Sequence, residues 1–202
     1  MRLNNVKWVI FTIIATGNFL GMLDSTIVNL ALYPMARDLG VSISQVQWVI
    51  IAYTLVLTVF LPFWGKIGDM VPKNKLYASG YILFALGSLL NATARSLPFL
   101  IAFRCIEALG ASIIISNASS VIASLFKGKD RGKALGLNGC LVAVGGLLGP
   151  SLGGMLIQVF NWHAIFIPAI PIALFGVYYS NKMVPSVISQ KEKIKFDYPG
   201  FI

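Results

Sequence analysis

The chain has 202 residues, 57% of them hydrophobic and only 11% charged, a balance that excludes a water-soluble globular domain. Sixteen Lys and Arg against seven Asp and Glu give a formal charge of +9. In a soluble protein that excess would suggest nucleic acid, but here the basic residues sit in short segments beside long apolar blocks, which is a topology pattern. Cys105 and Cys140 lie in apolar stretches without CxxC spacing and His163 is the single histidine, so the sequence offers neither a disulfide framework nor a metal cluster.

A helix needs roughly 20 apolar residues to cross a hydrocarbon core about 30 Å thick. Cutting the chain at its charges predicts six spans, about 8–33, 46–64, 76–94, 96–126, 134–159 and 163–181. The expected fold is therefore all-α, a six-transmembrane-helix bundle over residues 1–181. The first block follows Arg2 and Lys7 like a signal peptide, but it is too long and five further spans follow, so it is read as a retained span. Residues 134–181 contain no Asp, Glu, Lys or Arg. As one helix they would extend about 72 Å, so the stretch must turn, and Phe160-Asn161-Trp162-His163 suits a turn at the water interface. The 182–202 tail ends in Phe196-Asp197-Tyr198-Pro199-Gly200-Phe201-Ile202, which reads as the threshold of a missing seventh span.

Basic residues set the orientation. Arg2, Lys7, Lys66, Lys73, Lys75, Lys127, Lys129, Arg131, Lys133, Lys182, Lys191, Lys193 and Lys195 fall on one side, and Arg37 and Arg95 on the other. The positive-inside rule then makes both termini cytoplasmic in a multi-pass protein of the cell membrane.

Asp24 lies deep in the first span, where a carboxylate costs about 2.5 to 3.5 kcal/mol and is a functional candidate by default. At about 100° per residue, Gly17, Asn18, Gly21, Asp24, Ser25, Val28 and Asn29 share one arc, and Phe19, Leu20, Leu23 and Ile27 cover the remainder. Arg104 and Glu107 occur in the fourth span. Counted from the same side of the membrane, they lie about 12 and 16 Å deep, against about 14 Å for Asp24. Their i, i+3 spacing puts them on one face with Ala108 and Ala111, small enough for another helix to approach. A proton and substrate site of Asp24, Asn29, Arg104 and Glu107 is the expectation; a pair that only neutralises itself is the plainer alternative.

Two segments carry backbone signals. In span five Gly145, Gly149 and Gly153 repeat every four residues, a stripe for close helix contact, with Gly154 beside it and Pro150 permitting a kink. Between spans two and three, Gly65-Lys66-Ile67-Gly68-Asp69-Met70-Val71-Pro72-Lys73-Asn74-Lys75-Leu76 reads as a tight turn in which Asp69 caps the next helix.

Taken in order, these segments resemble the N-terminal half of the major facilitator superfamily, most closely its drug:proton antiporter branch with fourteen spans. The resemblance covers nearly the whole chain. Leu23-Asp24-Ser25-Thr26-Ile27-Val28-Asn29 is similar to that branch's first-span signature and implies proton handling at Asp24. Gly65, Gly68, Asp69 and Lys73 match the superfamily's gating loop, with Met70 where Arg is usual and Pro72 where Gly is usual. Arg104 and Gly110 match the fourth span. Glu107 stands where Gln is common and Ala108 where Gly is common, making Glu107 a second titratable group or a cation selector. Gly145 to Gly154 match the antiporter pattern at Gly145, Gly149, Pro150, Gly153 and Gly154.

The resemblance implies a proton-coupled antiporter exporting hydrophobic or cationic small molecules by alternating access. It implies no bound cofactor, the proton gradient being the energy source, and as partners the lipid bilayer and either a missing C-terminal half or a second copy in a homodimer. A non-transporting membrane scaffold and a nutrient symporter are the competing readings. No serine elbow, histidine pair or phosphate loop points to an enzyme.

Overall fold

The computed structural model describes residues 2–184, and these are all-helical or in short connections. The order is α1 (Arg2–Asp38), a one-turn α2 (Ile43–Val46), α3 (Trp48–Met70), α4 (Lys73–Asn91), α5 (Leu97–Leu125), α6 (Lys129–Val159), a 3-10 segment (Trp162–Phe166) and α7 (Ala169–Met183). The segment from Gln190 to Ile202, with its aromatic end, lies outside the described residues.

Five stretches, 6–38, 43–70, 97–125, 129–159 and 162–182, are long and apolar enough to cross a membrane, as expected of an integral membrane protein. Helix α4 is not among them, although span three was expected there. Lys73, Asn74, Lys75, Ser79, Ser88 and Asn91 dilute its hydropathy. Its place in the bundle explains why polar residues are tolerated: α4 packs against α5 and α7, and ten of its 19 residues are buried among protein neighbours, not in lipid.

The helices overrun the apolar blocks that announced them. Helix α6 starts at Lys129, inside the basic segment, because backbone hydrogen bonds need no apolar side chains once the chain leaves hydrocarbon. In the same way α3 continues to Met70 and α4 begins at Lys73, so only Val71 and Pro72 connect them. The expected 65–76 turn is mostly helix, and Asp69 does not cap α4. It sits in the last turn of α3, and the cap position of α4 is Pro72, which makes no side-chain cap bond.

Helix α1 runs through the middle. It packs along α6 and also touches α5 and α7, while α3 lies on α5. Leu20, Leu23 and Ile27, which cover α1 away from the polar arc, are buried too, because that side also faces protein. At the α1–α6 seam the glycine stripe meets α1 directly: a methyl on residue 145 would lie 2.8 Å from the Phe19 carbonyl oxygen, and one on residue 149 would strike the Thr26 hydroxyl. Along the α4–α5 contact a methyl on Gly87 would fall 2.6 Å from the Glu107 Cα, and one on Gly110 would fall 2.7 Å from the Gly80 carbonyl oxygen. The core at the N-terminal end centres on Tyr77, Tyr81 and Phe84 with Ile13 and Ile14, and the Tyr81 hydroxyl donates to the Ile13 carbonyl at 2.5 Å.

Opposite the N-terminus, the connections interlock. The Trp162 indole donates to Asp38 at 2.8 Å, and the His163 ring lies 2.9 Å from the Ala94 carbonyl oxygen. The Asn161 side chain accepts from the His163 backbone, which starts the 3-10 segment where the uncharged stretch turns.

Candidate functional site

Three helices bring the intramembrane charges together. Arg104 of α5 donates through Nη1 to Asp24 Oδ2 of α1 at 2.7 Å and to Glu107 Oε2, one turn along α5, at 2.5 Å. The three are 1%, 5% and 0% exposed respectively. Two carboxylates thus share one guanidinium, out of reach of bulk water. Charges placed so deep persist only when paired and hydrogen-bonded.

The surrounding shell was not read from the sequence. On α4, one turn apart, the Ser88 hydroxyl donates to Glu107 Oε1 at 2.5 Å and the Asn91 amide to Glu107 Oε2 at 2.7 Å. The Arg104 guanidinium stands 4.1 Å from the centre of the Tyr53 ring of α3 and 5.9 Å from that of Phe166. Both aromatic faces favour a desolvated cation. A small residue, Gly87, and the polar Ser88 and Asn91 in span three were visible in the sequence, but which carboxylate they reach depends on the register of α4 against α5.

Asn29 does not join the cluster. It is exposed and its amide donates to the Ser25 carbonyl, four residues back on its own helix. Ser25 and Asn18, from the same polar arc, instead line a cleft of about 410 Å³ with Met22, Tyr53, Ser119 and Asn138. Its walls come from α1, α3, α5 and α6, and Asn18 donates to Asn138 across it at 2.9 Å. Tyr53 belongs both to this cleft and to the shell over Arg104. Met22 lines the cleft, whereas Phe103 stacks on Phe99 along α5.

The gating residues form a second, smaller assembly at the N-terminal end. Asp69 and Lys73 pair at 3.6 Å across the α3–α4 turn. Lys73 also donates to Asn117 Oδ1 of α5 at 2.8 Å, and Asn117 Nδ2 donates to the Trp64 carbonyl at 3.1 Å. Burial lowers the Lys73 ammonium from its ordinary 10.5, and the Asp69 carboxylate opposes part of that shift. The Asn117 side chain occupies the space a Cβ would need at Gly68, which is why glycine sits there, whereas Gly65 faces open space. Asn117 is detectable in the sequence only as an amide in an apolar span. Gly145, Gly149 and Gly153 serve the α1–α6 seam, Gly154 lies just beyond it against Leu30, and Pro150 points outward, away from both assemblies.

Among the described residues no group of three His, Cys, Asp or Glu is placed to hold a metal ion. The arrangement can bind a proton on buried carboxylates and place a small molecule beside them.

Comparison with known proteins gives this geometry a context. The Major Facilitator Superfamily pattern matches residues 14–195. The chain is 37% identical over 196 residues to the riboflavin transporter RibZ of Clostridioides difficile (strain 630), covering 97% of this chain and 43% of that protein. It is 34% identical over 198 residues to MdtD of Serratia proteamaculans (strain 568), a protein named for multidrug resistance, covering 98% of this chain and 41% of that one. The chain therefore spans less than half the length of these relatives. In structure it resembles the proton:xylose symporter XylE, with a TM-score of 0.79 at 13% identity, over 91% of this chain and 46% of that one. It also resembles a bacterial homolog of the human lysosomal transporter Spinster in an inward-facing conformation, with a TM-score of 0.75 at 17% identity, over 94% of this chain and 46% of that one. Such identities speak to the fold alone.

Proposed function

The chain belongs to the Major Facilitator Superfamily, and from that premise we propose that it forms one half of a proton-coupled antiporter exporting hydrophobic or cationic compounds by alternating access. One observation carries the reading: Asp24 and Glu107 share the single Arg104 cation in a buried site. The three groups are electrically neutral only with one proton aboard, and a cluster poised one proton from neutrality couples protonation to the α1–α5 contact. The adjoining cleft, with a mixed apolar and neutral-polar lining, is where a small molecule would sit. The relatives named for multidrug resistance support export as the direction. The bundle would work against a partner half or a second copy, with both termini cytoplasmic in the cell membrane, rocking about the central site.

The name of RibZ favours a second reading, in which the cargo is riboflavin. One assay separates the two. In everted vesicles from cells expressing the protein, an imposed inward-acid pH gradient should drive accumulation of ethidium, and Asp24→Asn should abolish it. Ethidium accumulation that ignores the gradient, or survives Asp24→Asn, would sink the antiport reading; riboflavin movement without ethidium movement would install the second.

A further inference from the structure

The two carboxylates are not held alike. Glu107 accepts from three side chains, Arg104, Asn91 and Ser88, and both of its oxygens are engaged. The guanidinium and the Asn91 amide can only donate, so they favour the ionised carboxylate at Oε2. Asp24 accepts from a single side chain, Arg104, at Oδ2. Asp24 is buried but its α1 neighbours Gly21, Met22 and Ser25 line the cleft, whereas Glu107 is fully enclosed and lies so close to Gly87 that a Cβ there would strike its Cα and Cβ.

We propose that Ser88 and Asn91 are positioning residues that fix Glu107 as the permanent counter-anion of Arg104 and so leave Asp24 as the acid that takes up and releases the proton. This rests on the proton-coupled reading above and assigns the division of labour within it. The other groups facing the pair are Tyr53 from α3, Phe166 from the 3-10 segment and, on α5, Arg104 with Cys105 next to it; α4 contributes only the two donors. When Asp24 takes up a proton, its bond to Arg104 Nη1 loses its ionic character. Arg104 keeps Glu107, so the α5–α4 contact holds while the α1–α5 contact relaxes.

Infrared difference spectroscopy on the full chain in lipid nanodiscs, titrated with acid, reads the carboxylic C=O band of each buried acid directly. In the unmodified protein that band should shift when the aspartate carboxyls carry carbon-13 and stay in place when the glutamate carboxyls do, a readout that leaves both acids beside Arg104. Ser88→Ala combined with Asn91→Leu should add a second band that glutamate labelling shifts. Ser88→Ala alone, the gentler change, should make part of the band shift on glutamate labelling if the double variant does not fold. A buried-acid band in the unmodified protein that glutamate labelling shifts and aspartate labelling leaves in place would overturn the assignment, as would Ser88 and Asn91 variants that leave both acids unchanged. Because the readout is protonation and not transport, vesicles that fail to accumulate ethidium would refute the antiporter while leaving this assignment standing, and the reverse outcome would do the opposite.

Discussion

Helices α4 and α5 pack along each other, as do α1 and α6, by the same device: glycine lets one backbone touch another. The two contacts differ in what surrounds the glycine. At α4–α5 the close approach encloses a hydrogen-bonded carboxylate on all sides, with Ser88, Asn91, Arg104 and Glu107 all buried. At α1–α6 the stripe is buried, but Leu147, Met155 and Val159 on the rest of α6 are exposed, and of α6 only Ala134, Gly145, Gly149 and Gly153 are buried. Small-residue packing therefore marks helix contacts in general, and the site is marked by the satisfied charge inside one of them.

The contrast can be broken most severely at Arg104. Arg104→Ala leaves two buried carboxylates without their cation and should cost about 3–5 kcal/mol, read as a loss of thermal stability in detergent. Next, Gly149→Leu wedges the α1–α6 seam against Thr26 and Ile27. Overpacking of this kind costs about 1–3 kcal/mol, whereas Leu147→Ala, on the exposed side of the same helix, should leave the melting temperature near the starting value. If both variants behaved alike, the seam would not depend on the stripe.

The smallest effect belongs to Lys73. The folded chain holds this proton less tightly than the unfolded chain, whose value is the ordinary 10.5. Unfolding therefore takes up protons just below that pH, and stability at this group rises as pH climbs from the folded value toward 10.5. Asp69→Asn removes the opposing carboxylate, lowers the folded value further and widens that window. The midpoint of pH-dependent amine labelling at Lys73 should move to lower pH, and a midpoint that stays put would show that Asp69 is too exposed to matter.

Much of this is legible in the sequence. Apolar blocks mark where helices cross, and counting residues from the shared side of the membrane puts Asp24, Arg104 and Glu107 at one depth. Depth does not give azimuth, however. Nothing in the spacing of Ser88 and Asn91 says that they face Glu107, or that Tyr53 covers Arg104, because those contacts depend on how α3 and α4 are rotated against α5. The same limit hid the Asn117 clasp beneath Gly68. Asp69 was misplaced for a different reason: a glycine-rich, charged stretch looks like a loop, yet helical hydrogen bonding carries through it to Met70. Helix α4 escaped the apolarity criterion because hydropathy measures fitness for lipid, and this helix is largely surrounded by other helices.

The Trp162–Asp38 and His163–Ala94 bonds fasten the end of α1, the α4–α5 corner and the α6–α7 corner to one another, while Lys73 and Asn117 fasten the opposite end. The far rim thus binds α1 to both corners, whereas the Lys73 clasp binds α3, α4 and α5 and omits α1. A weakened Asp24–Arg104 bond would let α1 tilt about its Trp162 end as about a hinge.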